Sequence, residues 1–245
     1  YKISGRKWFI TNAAHPDCKI LIVMGKTDPE GPRHRQQSMI LVPTDTPGLE
    51  MKRNIPILNH HSPEGHCEIL FRDVKVPADN LLGEEGDGFK MAQARLGPGR
   101  IHHCMRAIGQ AERALELMCK RSLSREAFGK KIADLGANYD IIANARMEIE
   151  QARLLCLKAA WMMDTAGVRE AQPWISQIKV VAPLMSLKVI DEAMQMHGAM
   201  GISQDTGLAH MWTHVRTLRL ADGPDAVHRR QVARAELRRH SNSDR

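Results

Sequence analysis

The chain has 245 residues, of which 43% are apolar, and it carries a formal net charge of +7. No run of about 18 uncharged apolar residues occurs, so no membrane-spanning helix is predicted. Aromatic residues make up only 4% of the chain and are not interleaved with basic ones, which argues against stacking platforms for nucleic acid. The positive charge fits solvated basic surfaces or a small ligand that carries phosphate.

The first 80 residues are predicted to form a β module. Short runs rich in β-forming residues lie at 19–25, 38–43 and 66–76, and polar segments with Pro and Gly separate them. Tyr1 already falls inside a strand-like pattern. We therefore expect a longer protein whose N-terminal part precedes this residue.

Residues 81–245 are predicted to form a bundle of four long helices. A glycine-rich connector at 83–88 leads into apolar stripes with helical spacing that begin at Ile101, Ile141 and Ile175. A fourth helix is predicted from about Pro224 to Arg239. Long helices with short links favour a bundle. The predicted fold class is therefore α+β, with a barrel- or sandwich-like β module at 1–80 and a four-helix bundle at 81–245.

The cysteines and histidines give no sign of a disulfide framework or a metal site. The five cysteines are odd in number and contain no CxxC pair, which predicts reduced thiols in an intracellular compartment. His102, His103 and Cys104 are adjacent. Adjacent residues on a helix point in different directions, so these three are not expected to share an ion.

Four short patterns could contact a ligand, although each also has an ordinary structural explanation. The segment GRKWFITN (5–12) suits a strand that lines a flat ring, or a plain strand and turn. In REAFGK (125–130), Arg125 could clamp a phosphate beside the Phe128 ring, or the segment could cap a helix. The glycines of QMHGAMG (195–201) could end a helix or admit a ligand. In LADGPDAVHR (220–229), helix capping explains Asp225 better than Asp222.

In this order and spacing, the four patterns resemble the acyl-CoA dehydrogenase family over essentially the whole chain. The stretches LGPGRIHHCMR (96–106) and ADGPD (221–225) look most like the branch whose members can be fused to a kinase-like domain. The resemblance implies a middle β-domain followed by a C-terminal helical domain. It also implies that the family's N-terminal helical domain is missing from this chain.

The resemblance assigns a role to each matching residue. Asp222 falls on the carboxylate base that faces the α-carbon of the substrate, which makes it the catalytic residue. The FAD-binding positions are Phe9, Ile10, Thr11, Arg125, Phe128, Gln195, Gly198, Gly223, Pro224 and Asp225. Among these, Arg125, Phe128, Gln195 and Gly198 would hold the FAD of a neighbouring subunit. The positions implied for acyl-CoA are Gly97, Pro98, Gly99, Arg100 and Gly223, and no metal is implied.

Several positions depart from the family pattern. The usual base is Glu, whereas Asp222 is one methylene shorter, and the preceding residue is Ala221 where an aromatic residue is usual. Other departures replace polar flavin contacts with Ala127, Gly136, Pro224 and Ala226. Gly99 stands where some relatives carry an alternative base, so no substitute carboxylate is evident there.

The resemblance implies an FAD-dependent acyl-CoA dehydrogenase of fatty-acid β-oxidation that removes an α-proton and transfers a β-hydride to the flavin. It implies a homodimer or homotetramer that shares FAD sites, with electron-transfer flavoprotein as electron acceptor. A mitochondrial location is expected in a eukaryote, with a peroxisome or the bacterial cytoplasm as alternatives. Two other functions stay open: a flavin-binding relative with weak or lost activity, and an acyl-CoA oxidase.

Overall fold

A computed structural model describes residues 1–241. The chain divides into two compact units, Tyr1–Ala94 and a second that begins at Arg95. The strands of the first unit, in chain order, are β1 (Lys2–Thr11), β2 (Ile20–Lys26), β3 (Gln37–Pro43), β4 (Leu49–Asn54), β5 (His66–Lys75) and β6 (Leu81–Leu82). They form two three-stranded sheets, ordered β1-β5-β4 and β2-β3-β6.

The two small sheets share one hydrophobic core. Side chains alternate between the two faces of a strand, so β3 buries Ser38, Ile40 and Val42 while the residues between them stay partly exposed. Ile69 and Phe71 of β5 join the same buried cluster. The predicted β-rich part of an α+β fold is therefore confirmed, and its packing is sandwich-like.

The β unit extends past residue 80, where the predicted β module ends. Leu81 and Leu82 pair with β3, and the backbone N–H of Gly86 donates to Ser38 Oγ at 2.8 Å. These contacts attach the glycine-rich connector to the sheet. The sequence also gave no sign of β4, because this edge strand ends in polar residues and exposes most of its length.

Within residues 1–241, the helical part of the chain contains the four predicted helices and two short helices that were not predicted. The helices are α1 (Gly88–Ser124), α2 (Asn138–His197), α3 (Ala199–Ile202), α4 (Leu208–Leu218) and α5 (Asp225–Ser241). Gly167, with φ 85° and ψ 170°, divides α2 into two helices, which correspond to the second and third predicted stripes. A short hairpin of β7 (Glu126–Ala127) and β8 (Lys130–Lys131) connects α1 to α2.

Helix α1 packs closely against the second half of α2. Ser186 Oγ donates to the carbonyl oxygen of Ala107 at 2.8 Å, and Cys104 Sγ donates to that of Ile178 at 3.4 Å. A continuous buried cluster of mainly Ala, Ile and Met side chains surrounds these contacts. None of the helices within residues 1–241 combines the length and apolarity needed to cross a membrane.

Helix α4 is short and has a weak local signal. It contains His, Thr, Trp and Val residues, which have modest helix propensity. Leu208 and Val215 are buried in the same core as α2. Tertiary packing, which the local sequence does not display, therefore stabilises α4.

Candidate functional site

Asp222 lies in the turn between α4 and α5 and adopts a left-handed backbone conformation, with φ 57°. Aspartate tolerates this region better than most residues. Gly223 follows with φ 107°, and a Cβ added there would lie 2.9 Å from His228 Nε2. The turn that presents Asp222 therefore requires glycine at the next position.

Helix α1 holds Asp222 from one side. Arg100 Nε donates to the backbone carbonyl of Asp222 at 3.0 Å, and His103 Nε2 lies 3.3 Å from Asp222 Oδ2. A Cβ added at Gly99 would stand 4.0 Å from the same oxygen. Residues three and four apart share a helix face, so positions 99, 100 and 103 form one surface against the carboxylate.

Lys179 on α2 donates to backbone carbonyl oxygens on both sides of Asp222. Its side chain is only 1% exposed, and its Nζ donates to the carbonyl oxygens of Leu218 and, at 3.5 Å, Gly223. The carbonyl of Leu218 ends α4, where no further helical donor follows. Lys179 therefore caps α4 and ties the following turn to α2.

The second carboxylate of the turn, that of Asp225, forms an ion pair with Arg219. Asp225 begins α5, is buried, and accepts from Arg219 Nε at 2.8 Å and Nη2 at 2.7 Å through Oδ2. Its flavin-binding role stays a prediction. In the structure Asp225 pairs with Arg219 and stands at the start of α5, as the capping pattern indicated.

Basic groups surround Asp222 and keep it ionised. The hydrogen bond from His103 lowers the pKa of Asp222; burial opposes this change, and the charges of Arg100 and Lys179 reinforce it. Burial lowers the pKa of Lys179 and that of Arg100. Burial also lowers the pKa of His228, whose Nε2 lies 3.3 Å from the backbone oxygen of Asp222. Because the Asp222 side chain remains 20% exposed, it can accept a proton from a neighbouring ligand.

The predicted acyl-CoA segment is divided between two environments. Gly99 and Arg100 lie beside Asp222. Gly97 is buried, and a Cβ added there would lie 3.4 Å from Met163 Cε, while Pro98 is exposed inside α1. The structure therefore brings half of the segment to the carboxylate, and Gly97 serves helix packing.

The predicted phosphate clamp lies on an exposed hairpin. Phe128 occupies the hairpin turn with φ 52° and has 96% of its surface exposed. Arg125 is exposed just before β7, and within residues 1–241 its guanidinium makes no hydrogen bond or ion pair. An unpaired guanidinium beside an uncovered ring can bind a ligand that has both phosphate and aromatic groups.

Gln195 and Gly198 lie at the C-terminal end of α2. Gln195 is exposed, and Gly198 has φ 64° with open space where a Cβ would be. Gly201 differs, because an added Cβ would collide with the backbone of Met194. Close approach by a ligand is therefore possible at Gly198, whereas Gly201 is needed for packing.

The end of β1 presents two aromatic rings. The β1–β5 register shifts between Lys7 and Ile10, and Phe9 within this irregularity has φ 57°. The Trp8 and Phe9 rings are exposed, with centroids 4.7 Å apart. Ile10 packs against the β core, so it contributes mainly to the sheet.

Thr11 ends β1 with an exposed hydroxyl. Its Oγ1 lies 3.0 Å from His66 Nδ1 on β5. A hydroxyl can donate to one group and accept from another. Thr11 can therefore contact the polar edge of a ligand ring while it keeps this contact.

Sequence reasoning missed three members of the Asp222 cluster: His103, Lys179 and His228. His103 enters the sequence prediction only with its neighbours His102 and Cys104, and these three residues are not expected to share an ion. Its spacing of three from Arg100 was the usable signal. Lys179 falls on the apolar stripe, four residues after Ile175. This stripe faces the core, and a lysine is almost never fully buried unless it is paired. A lysine on the stripe was therefore the signal for a buried partner.

Comparison with known families matches almost the whole chain. Residues 1–74 match the model described as acyl-CoA dehydrogenase, middle domain, and residues 86–237 match acyl-CoA dehydrogenase, C-terminal domain. The Mycobacterium tuberculosis protein FadE2, named as an acyl-CoA dehydrogenase, is 56% identical over 99% of this chain and 60% of its own length.

Solved structures show the same similarity. A protein from Mycobacterium abscessus assigned to the acyl-CoA dehydrogenases is 52% identical, with a TM-score of 0.95 over 98% of this chain and 59% of that one. The FAD complex of PigA is 26% identical, with a TM-score of 0.85 over 96% of this chain and 60% of that one. The chain thus spans about three-fifths of the length of these proteins.

Proposed function

The chain belongs to the acyl-CoA dehydrogenase family, and from that membership we propose that the protein catalyses α,β-dehydrogenation of an acyl-CoA thioester. Asp222 removes the α-proton. The observation that carries this proposal is the placement of the carboxylate. It is partly exposed, ionised by its neighbours, and held at its backbone by Arg100.

The surroundings of Asp222 define its part in the reaction. A thioester α-proton is weakly acidic, so the carboxylate must be oriented and shielded from bulk water. Arg100 fixes the backbone of Asp222 and His103 contacts its side chain. The same contacts lower its pKa, so it stays deprotonated at neutral pH.

FAD is the proposed cofactor, and it supplies the acceptor for the β-hydride when bound. The residues present suit such a ligand. The unpaired guanidinium of Arg125 and the uncovered ring of Phe128 suit a dinucleotide that carries phosphates and an adenine. The exposed Phe9 ring and the Thr11 hydroxyl suit a flat ring with a polar edge.

The other roles follow from the resemblance to the family. Arg125, Phe128, Gln195 and Gly198 would bind the FAD of a neighbouring copy in a homodimer or homotetramer. The hydride electrons would pass to an electron-transfer flavoprotein, in fatty-acid β-oxidation. Mitochondrion, peroxisome and bacterial cytoplasm stay as alternative locations. Pro224 and Asp225 are proposed flavin contacts, and Gly97, Pro98 and Gly223 are proposed acyl-CoA contacts.

A second candidate function is flavin binding with weak or lost activity. Asp222 is shorter than the usual glutamate, and its pKa is lowered, which makes it a weaker base. Anaerobic mixing of the FAD-loaded protein with a panel of acyl-CoA thioesters separates the two. A dehydrogenase bleaches the flavin with at least one thioester, whereas a binding protein bleaches with none. Peroxide release in air would identify an acyl-CoA oxidase instead.

A further inference from the structure

His103 contacts Asp222 through only one of its two ring nitrogens. Nε2 lies 3.3 Å from Asp222 Oδ2, whereas Nδ1 is buried and has no hydrogen-bond partner within residues 1–241. A neutral imidazole carries its proton on one nitrogen. We assign that proton to Nε2, because the other tautomer would set a ring lone pair against a carboxylate oxygen.

The two oxygens of Asp222 are therefore unequal. Oδ2 lies 3.3 Å from His103 Nε2, whereas no ion pair or hydrogen bond of the Asp222 side chain within residues 1–241 reaches Oδ1. Arg100 holds the backbone carbonyl of the same residue. With the backbone and one oxygen both fixed, the other oxygen keeps a defined direction.

We propose that His103 is a positioning residue for Asp222: its Nε2–H holds Oδ2, so that Oδ1 is the oxygen that takes the substrate proton. This proposal rests on the function proposed above. The α C–H bond breaks as an O–H bond forms at Oδ1. The electron pair of the broken C–H bond stays with the acyl group and becomes the α,β double bond. FAD would accept the β-hydride.

His103 is not placed to be the base itself. Its Nδ1 is buried, and its Nε2 faces Asp222 Oδ2 at 3.3 Å. Its effect must therefore pass through the carboxylate. Orientation matters for a reacting group, because misplacement by about 1 Å can cost about 10²-fold in rate.

Other charged groups face the same carboxylate and would remain when His103 is changed. They are Arg100 on α1 and Lys179 on α2, with the His228 ring of α5 beside the backbone of Asp222. All three are common to the parent and to variants at position 103. A difference between those proteins therefore reports the contact from His103.

The test compares His103→Phe and His103→Gln with the parent in the FAD-loaded protein. Phe keeps a planar ring and removes the donor, whereas the Gln amide can donate at a reach similar to that of Nε2. The rate of flavin bleaching is measured at limiting acyl-CoA across pH, which reports groups of the free enzyme. The matched control is His102→Phe, because His102 is exposed on the same helix.

We expect His103→Phe to lose about 10- to 10²-fold in rate. The hydrogen bond from His103 lowers the pKa of Asp222, so its removal raises that pKa. The acid limb of the profile, where the rate falls as Asp222 is protonated, then moves to higher pH. His103→Gln should keep most of the rate and the parent profile, and the control should match the parent.

A second readout needs neither flavin nor substrate. Nitrogen NMR of histidine-labelled protein identifies the His103 signal by its absence from His103→Gln. The proposal requires a proton on Nε2, and a ring that is protonated on Nδ1 alone would overturn it. This measurement also decides the matter if His103→Phe fails to fold.

The outcomes separate this proposal from the function on which it rests. If Asp222→Asn bleaches flavin at the parent rate, the proposed base is wrong. If Asp222→Asn loses the rate while His103→Phe retains the parent rate and pH profile, only the role of His103 is wrong. Equal losses in His103→Phe and His103→Gln without a shifted acid limb would show a packing role and would also overturn the proposal.

Discussion

The Nε–H of Arg100 donates to the backbone carbonyl of Asp222 at 3.0 Å, and so joins helix α1 to a turn 122 residues further along the chain. Arg100 is buried, with 8% of its surface exposed. A buried guanidinium is costly unless its donors are used and its charge is balanced. The Asp222 carbonyl accepts from one of these donors and the Asp222 charge balances the guanidinium, so the position of the proposed base depends on α1.

Replacing Arg100 with Ala should impair catalysis as well as substrate binding. The variant loses the bond to Asp222 and the proposed contact with acyl-CoA. We expect a lower flavin-bleaching rate at saturating acyl-CoA and a raised dissociation constant, with FAD still bound. Stopped-flow absorbance over a range of acyl-CoA concentrations measures both quantities. Flavin loss as the main effect would place Arg100 in the cofactor site instead.

Replacing Arg125 with Ala should weaken FAD binding. A hydrogen bond to a charged group contributes about 1.5–3 kcal/mol, so the FAD dissociation constant should rise by about 10- to 150-fold. Arg234, an exposed arginine of α5, provides the matched control, and Arg234→Ala should bind FAD like the parent. Equal affinities in the two variants would remove Arg125 from the FAD site.

The β strands and long helices were predictable because local patterns specify them. The runs at 19–25 and 38–43 became β2 and β3, and the stripe from Ile101 became part of α1. Helix α4 was missed because its stability comes from packing on α2. Strand β6 was missed because two residues carry no detectable period, and pairing with β3 alone defines it.

Replacing Lys179 with Met should change how stability depends on pH. Burial lowers the pKa of Lys179 in the folded protein, below the value of about 10.4 for an unfolded lysine. At a pH between the folded and the unfolded pKa, Lys179 is protonated in the unfolded chain and neutral in the folded protein. The free energy of unfolding of the parent therefore rises with pH in this range. The variant lacks this gain. Urea unfolding across alkaline pH should therefore show the parent-minus-variant free energy of unfolding increasing, and a constant difference would contradict the prediction.

Replacing Gly223 with Ala should destabilise the protein. The position has φ 107°, and the added methyl would lie 2.9 Å from His228 Nε2. Backbone strain of this kind costs about 1–3 kcal/mol. Gly109→Ala in α1 is the control, because a Cβ there meets nothing within 4 Å and alanine favours helix. Thermal unfolding should show opposite shifts for the two variants; a neutral Gly223→Ala would mean that the turn adapts.

The candidate site was only partly predictable. The family resemblance identified Asp222 because the ADGPD turn is contiguous in sequence. Its partners His103 and Lys179 come from two other helices. Their contacts depend on how α1 and α2 pack against the turn, and no single sequence window contains that information.

The most direct test of the central claim is stopped-flow bleaching of bound flavin by acyl-CoA in the parent and in Asp222→Asn. Asn keeps the shape of the side chain and cannot accept the α-proton. Positioned acid–base catalysis contributes about 10²–10⁴-fold, so the account predicts a loss of at least that size, with FAD still bound and the fold intact. Bleaching by Asp222→Asn at the parent rate would contradict the account and remove Asp222 from the mechanism.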